Sequence, residues 1–200
     1  MVTNQIAARG DFDRAVLDAM RAVPREKFVP DILASRAYDD RPLPIGEDQT
    51  ISQPFVVAYM IEAAKIGKDS RVLEVGAGSG YAAAVIGQIA AQVFGMERHR
   101  TLAEAARNRM AELGYGNVHI LDGDGSKGLP EEAPFDVIIV SAGGEDIPEA
   151  LCDQLADGGR LVIPVGPHHL AQDLLKLTKR GDEFERESLG GVRFVPLVEG

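Results

Sequence analysis

The chain has no tryptophan, a single cysteine, only 6% aromatic residues and no surplus of basic charge. Each shortage closes off a class of function. The lone Cys152 leaves no partner for an internal disulfide and no thiolate cluster for structural zinc. Its surroundings, EALCDQLADGG, read as an amphipathic helix with no cation beside the thiol, so a buried and unreactive side chain is expected. Acidic residues outnumber basic ones by 31 to 21, and the net charge of -10 is spread along the chain. A protein that grips nucleic acid through phosphates needs a basic face, which this distribution does not offer. The histidines, His99, His119, His168 and His169, are scattered without the company that a metal site requires, and His168 and His169 are expected at the surface. No G-x-S-x-G elbow suggests a hydrolase triad. No apolar run approaches the roughly 20 residues of a membrane span, and MVTNQIAARGDFD lacks the basic-then-apolar plan of a signal peptide. The expectation is a cytoplasmic protein, without a membrane or nucleic-acid partner, whose ligands are small molecules or other proteins.

What is present is ample core material. With 45% hydrophobic and 26% charged residues, a chain of 200 residues suits one domain, 1–200, with no linker dividing it. Residues 1–66 are helical and loop-rich. DFDRAVLDAMRAV repeats apolar positions at helical spacing from Phe12 to Val23, with Asp11 to cap it and Pro24 to stop it. Prolines in PREKFVP and AYDDRPLPIG disfavour regular structure, and a second helix is expected from about Ser52 to Ile66.

Residues 67–200 follow another plan. RVLEV, AQVFGME, NVHIL, FDVIIVSA and GGRLVIPVG read as buried strands. YAAAVIGQIA, TLAEAARNRMAEL and IPEALCDQLA read as the helices between them. That alternation predicts an α/β fold with a mostly parallel sheet, right-handed crossovers and helices on both faces. LLKLTKR, GDEF and GGVRFVPLV read as turn-linked strands that close the sheet with an antiparallel pair.

The loops at the strand ends carry the chemistry. LEVGAGSGYAA sets Gly76, Gly78 and Gly80 between a strand and a helix, where glycine permits tight turning and close approach of a ligand. Dinucleotide sites use G-x-G-x-x-G and set a pyrophosphate on the helix N-terminus. Here the run is G-x-G-x-G after Glu74, which suits a cationic amine better than a pyrophosphate. Glu97 ends the next strand about 20 residues later, where a carboxylate can accept from both ribose hydroxyls. Taken singly it also reads as a solvated strand end. Asp124 in LDGDG either accepts from an adenine amino group or belongs to a plain acidic turn. Three such loops at consecutive strand tips point to a nucleoside ligand bearing an ammonium. S-adenosylmethionine meets those demands, and NAD meets them less well.

A sulfonium-bound methyl group is already electrophilic, so the protein has mainly to orient a nucleophile and exclude water. A carboxylate, with a reference pKa near ~4, is ionised at neutral pH and needs no general base. The scarcity of candidate bases therefore suits carboxyl methylation. Ser52, in PIGEDQTISQPFVV, is either the cap of the second helix or a hydroxyl that holds the substrate.

Several stretches together resemble the protein-L-isoaspartate O-methyltransferase family. They are VPREKFVP, AYDDRPLPIGEDQTISQPFVVAYM, RVLEVGAGSGYAAAV, GDGSKGLPEEAPFDVIIVSAGGEDIPEALCDQLADGGRLVIPVG and GGVRFVPL, and they span about residues 4 to 198. PIG followed by QTISQP, with the closing VRFVPL, is far more specific than the glycine loop. The resemblance implies a Rossmann-like class I methyltransferase sandwich with a seven-stranded sheet, in which 1–66 form a helical cap and substrate loop. It implies methyl transfer from S-adenosylmethionine to the abnormal carboxylate left when Asn deamidates or Asp isomerises through a succinimide. Isoaspartyl-containing proteins and peptides are then the partners, and the ester begins their repair. Ser52 corresponds to the family's substrate-pocket hydroxyl residue, which makes the substrate role the better reading. Ile45, Gly46, Gln49 and Thr50 fall in the loop that closes over the cofactor. Gly76, Gly78, Gly80, Glu97, Asp124 and Gly125 match cofactor positions, and Val195 would offer backbone hydrogen bonds to an extended peptide. Ala77 stands where Ser or Thr is frequent, SAGGEDIP replaces a more alanine-rich stretch, and SKGLP lacks a frequent aromatic. These departures bear on affinity and loop shape.

Overall fold

The computed structural model describes residues 1–167 and 170–198, so the expectation for His168 and His169 lies outside it. Helix α1 (Arg14–Ala22) buries Val16, Ala19 and Met20, the stripe that its spacing dictates. It starts later than Asp11 because Asp13 is held from outside. The Asp13 N–H donates to Glu62 at 2.7 Å, and its carboxylate meets Lys65 at 3.1 Å. A short antiparallel hairpin, β1 (Leu43–Gly46) and β2 (Gln49–Ile51), leads to helix α2 (Pro54–Ala64).

The start of α2 corrects one expectation. Gln53, not Ser52, occupies the cap position, and it makes no side-chain cap bond. Pro54 supplies the first helical residue with no N–H to satisfy. The next one, Phe55 N–H, is taken by Asp40 at 3.1 Å, and Asp40 also accepts from Gln53 Nε2 at 2.8 Å. A carboxylate from the preceding segment does the capping, which leaves Ser52 outside the helix.

The strands that follow are β3 (Arg71–Val75), β4 (Gln92–Glu97), β5 (Val118–Asp122), β6 (Phe135–Val140), β7 (Leu155–Val165), β8 (Gln172–Arg180) and β9 (Glu183–Val192). They form one seven-stranded sheet in the order β5-β4-β3-β6-β7-β8-β9. Strands β3 to β7 pair in parallel, while β8 runs antiparallel to both β7 and β9. Helices α3 (Tyr81–Gly87), α4 (Arg100–Leu113) and α5 (Glu149–Asp153) fill the crossovers. Because the chain leaves β3 toward β4 and β5 and then returns to β6 on the other side, a crevice opens at the carboxyl ends of β3 and β6.

Alternation along the strands feeds two cores. Val72, Val93, Val137 and Ile139 pack with the N-terminal residues, α2, α3 and α4 on one face. Leu73, Phe94, Ile138 and Leu161 pack with Leu151 of α5 on the other. Residues 1–66 thus share a core with the sheet.

Two further boundaries shift. The helix expected over IPEALCDQLA shortens to α5 because Gln154 turns into a loop, donating to the Lys127 carbonyl at 2.9 Å and accepting from Leu129 N–H at 2.7 Å. The three tail strands are two. GDEF and the first glycines of GGVRFVPLV merge into β9, and residues 193–198 run on as an extended segment attached to the sheet through a bridge between Gly143 and Pro196. Cys152 is half-buried, and burial raises its thiol pKa, with Asp153 adding to the effect. Among the described residues no helix is long and apolar enough to cross a membrane, and no group of His, Cys, Asp or Glu is arranged to hold a metal.

Candidate active site

Three adjoining cavities open at the crevice. The first reaches from Gly76 and Gly78 past Glu97 to Gly125, with Gln49, Thr50 and Val195 also in its wall. The second, the roomiest of the three, lies between Ser52, Gln53 and Val56 on one side and Arg193, Phe194 and Val195 on the other. The third, the smallest, is lined by Ser52, Glu74, Tyr81 and the glycine loop. Thr50 and Ser141 line all three, so the cavities meet at these two hydroxyl residues.

The glycine loop is shaped by its backbone. Gly76, Gly78 and Gly80 all take positive φ, at 81°, 53° and 85°, a region that costs other residues steric strain. Gly76 and Ala77 both donate to the Met96 carbonyl, which fastens the loop to β4. Gly80 serves packing, since a Cβ there would lie 2.9 Å from Met110 of α4, and it lines none of the three cavities. A Cβ on Gly125 would fall 2.5 Å from Val75, so the loop after β5 lies flush against β3.

Glu97 is buried at the tip of β4. One oxygen accepts from Gly78 N–H at 2.7 Å and the other from His99 N–H at 2.8 Å. A carboxylate has about four acceptor positions, so Glu97, which lines the first cavity, has capacity for further donors. Asp124 is committed differently. It caps the turn Gly125–Lys127 by accepting from Ser126 N–H at 3.1 Å and Oγ at 2.6 Å, and it pairs with Lys127 at 3.1 Å. It is not part of the first cavity's wall, whereas Gly125 is.

The hairpin is held over this cleft from outside. Its tip residues, Glu47 and Asp48, have left-handed φ of 50° and 55°, and Glu47 accepts from Thr101 Oγ1 at 2.8 Å. That contact ties the hairpin tip to the first turn of α4, and Gln49 and Thr50 beside it line the cleft. Ile45 lies against Gly78, 3.1 Å from where a Cβ would stand, but neither Ile45 nor Gly46 lines the cleft. Opposite, the segment 193–198 is pinned by paired backbone bonds. Gly143 N–H donates to the Val195 carbonyl at 2.8 Å and Leu197 N–H to the Gly143 carbonyl at 2.7 Å.

Of the residues singled out in the sequence, the first cavity gathers Gln49, Thr50, Gly76, Gly78, Glu97, Gly125 and Val195, and the second gathers Ser52 with Val195. Ile45, Gly46, Gly80 and Asp124 stand behind them. Ser141 carries no signal in the sequence, since it follows β6 in a run that reads simply as strand. Glu74, expected to suit a cationic amine, proves to be enclosed. Glu74 is 1% exposed; one of its oxygens accepts from Ser141 Oγ at 3.0 Å and the other has no partner. Burial pushes its pKa up to about 8 and repulsion from Glu97 adds to the rise, against the Ser141 hydroxyl and the nearby Ala83 N–H, which favour its charged form.

The comparisons agree on one family. The family model described as protein-L-isoaspartate(D-aspartate) O-methyltransferase matches residues 1–200. A protein-L-isoaspartate O-methyltransferase of Methylorubrum extorquens (strain PA1) is 61% identical over 201 residues, covering 100% of this chain and 87% of the relative. A solved protein-L-isoaspartate O-methyltransferase superposes with a TM-score of 0.84 at 31% identity, covering 92% of this chain and 61% of that one. A Plasmodium falciparum protein of the same description, in complex with S-adenosyl-L-homocysteine, superposes at 0.82 with 28% identity, covering 94% of this chain and 92% of that one.

Proposed function

This chain belongs to the protein-L-isoaspartate(D-aspartate) O-methyltransferase family, and on that premise we propose how its residues divide the reaction. The reaction transfers a methyl group from S-adenosylmethionine to the free carboxylate of isoaspartyl residues in proteins and peptides. The observation that carries the division is the junction at Thr50 and Ser141, where a cleft fit for a nucleoside meets a roomier cavity holding Ser52.

The cleft's residues fit the cofactor. Gly76 and Gly78 let it approach the backbone, the remaining acceptor capacity of Glu97 suits ribose hydroxyls, and Glu74, in the wall of the adjoining third cavity, suits an ammonium. Gly125 admits the base edge, with Asp124 shaping that end through its cap on Ser126. Gln49 and Thr50 cover the cleft, with Ile45 and Gly46 setting the hairpin's course. Bound S-adenosylmethionine supplies a methyl group already activated by its sulfonium, so the protein's contribution is placement and exclusion of water.

Ser52 is the residue we assign to the substrate. Its hydroxyl donates to one oxygen of the isoaspartyl carboxylate and leaves the other oxygen to attack. The carboxylate is ionised at neutral pH, so no residue has to take a proton before attack. The backbone around Val195 pairs with the extended peptide. The Val195 carbonyl is already taken by Gly143, so the pairing falls to groups on its other side. The proposed setting is the cytoplasm, where the lone thiol stays reduced.

The deciding experiment compares a peptide bearing isoaspartate with its normal aspartyl twin. Methyl transfer to the first and little to the second is expected; equal turnover of both, or of neither, defeats the reading. Glu97→Ala should weaken binding of adenosylhomocysteine by about 10- to 100-fold through loss of charge-assisted hydrogen bonds, measured by calorimetry.

A further inference from the structure

Arg25 is completely enclosed, with none of its surface exposed. Its hydrogen bonds go to two backbone carbonyls rather than to a carboxylate. Nε donates to Ala37 at 2.7 Å, and Nη2 donates to the carbonyl of Ser52 at 2.7 Å. The guanidinium lies over the ring of Tyr81, 4.6 Å from its centroid, and Tyr81 is the first residue of α3, immediately after the glycine loop. Burial lowers the Arg25 pKa, partly offset by Tyr81 and by the more distant Asp40.

This is an expensive way to fill space. A buried charge without an ion-pair partner gives up its hydration for little return, and an apolar side chain of similar volume would occupy the site at less cost. What an apolar side chain cannot do is hold two carbonyls at fixed angles with a rigid planar fork while stacking on a ring. Those three attachments come from the loop before the hairpin, from the residue after it and from the cofactor helix. Ser52 lies between β2 and α2, in neither element. Its carbonyl carbon and its Cβ leave the same Cα, so holding that carbonyl restricts where Cβ stands and hence the arc of rotamers open to the hydroxyl. The next residues have a separate clamp in Asp40, which binds Gln53 and Phe55 and is itself paired with Arg9 at 2.7 Å. The start of α2 therefore does not depend on Arg25.

We propose that Arg25 is a positioning residue for methyl transfer: it fixes Ser52 against the first turn of α3 and so aims the substrate carboxylate at the methyl group. The inference rests on the substrate role of Ser52. It concerns rate more than cofactor affinity, because Arg25 touches neither the ribose end nor the base end of the cleft.

The test is a double-mutant cycle of Arg25→Met and Ser52→Ala, with kcat measured on an isoaspartyl peptide and affinity measured for adenosylhomocysteine. Arg25→Met alone should lower kcat by roughly 10- to 50-fold and change the affinity by less than about threefold. In the Ser52→Ala background the same substitution should cost less than about threefold more, because the group it positions is gone. Equal losses in both backgrounds, or an unchanged kcat for Arg25→Met, overturn the proposal. If Ser52→Ala alone keeps full activity, it is the Ser52 reading that fails, and this proposal falls with it. Arg25→Lys keeps the charge but not the fork, and it serves if the methionine variant does not fold; it too should lose kcat with little loss of affinity. Should neither variant bind adenosylhomocysteine, Arg25 acts in folding and the positioning role is rejected.

Discussion

Glu74 sits where the fold's cost and the ligand's charge meet. Enclosed on β3 with one oxygen unpartnered and its pKa raised to about 8, it is mostly protonated at neutral pH in the ligand-free protein. A folded-state pKa above the unfolded value means that the folded form binds this proton more tightly. The stabilisation is complete below the usual carboxylate range, shrinks as pH rises, and is gone above about 8. Thermal unfolding of the ligand-free protein should accordingly lose stability from pH ~5 to ~8 more steeply than that of Glu74→Gln. An ammonium brought beside the carboxylate reverses the preference and favours its charged form, so binding near pH 7 should expel a proton to the buffer. Calorimetry of adenosylhomocysteine in two buffers of different ionisation enthalpy reads that proton directly. If wild type and Glu74→Gln release the same number, the ammonium does not bind at Glu74.

At the scale of elements, the site depends on two strips that are neither helix nor sheet interior. One is the hairpin fastened by Glu47 to Thr101; the other is residues 193–198. The second is held by Gln172, a buried residue at the start of β8. Its Oε1 accepts from Phe194 N–H at 2.9 Å and its Nε2 donates to the Phe194 carbonyl at 3.4 Å. The amide mimics a strand partner for a segment that has left the ladder. Gln172→Ala should destabilise the protein by about 1–3 kcal/mol, the cost of stranding partly buried backbone groups. It should also speed hydrogen exchange at Phe194 and Leu197 and raise KM for the peptide. Unaltered exchange at Phe194 would show that the segment is held by Gly143 alone. This strip also explains what could be read beforehand. The strands β3 to β7 were legible because short apolar runs between helices have one economical packing, and the glycine loop because its positive φ values demand glycine. The end of β9 was not legible. GGVRFVPLV has strand composition throughout, and only the long-range bonds from Gly143 and Gln172 take residues 193–198 out of the ladder. Asp40 was missed as the cap of α2 for the same reason: a cap supplied from elsewhere in the chain leaves no local signature. Ser52 was found through a motif and Glu74 through its place before the glycine loop, whereas Arg25 acquires meaning only from burial.

For the whole molecule the governing quantity is charge. A net charge of -10 surrounds a peptide cavity whose wall, among the described residues, carries one charged side chain, Arg193. The two fields act at different ranges. The summed negative charge reaches over roughly a Debye length, about 10 Å at 0.1 M salt, and steers approach; Arg193 acts only on contact. An isoaspartyl peptide flanked by lysines should therefore meet the enzyme faster than a neutral one at low salt. Raising the salt from ~20 to ~300 mM should lower its kcat/KM by about three- to tenfold, while a peptide flanked by glutamates should gain over the same range. Because screening alters encounter and leaves the chemical step alone, kcat should stay level for both peptides. Arg193→Gln separates the two ranges. It deepens the negative field only slightly, so the slope with salt should persist, while any advantage that acidic flanks gain at the cavity mouth disappears. A salt response that vanishes with Arg193→Gln would assign substrate selection to contact, and the surrounding charge would then have no part in it.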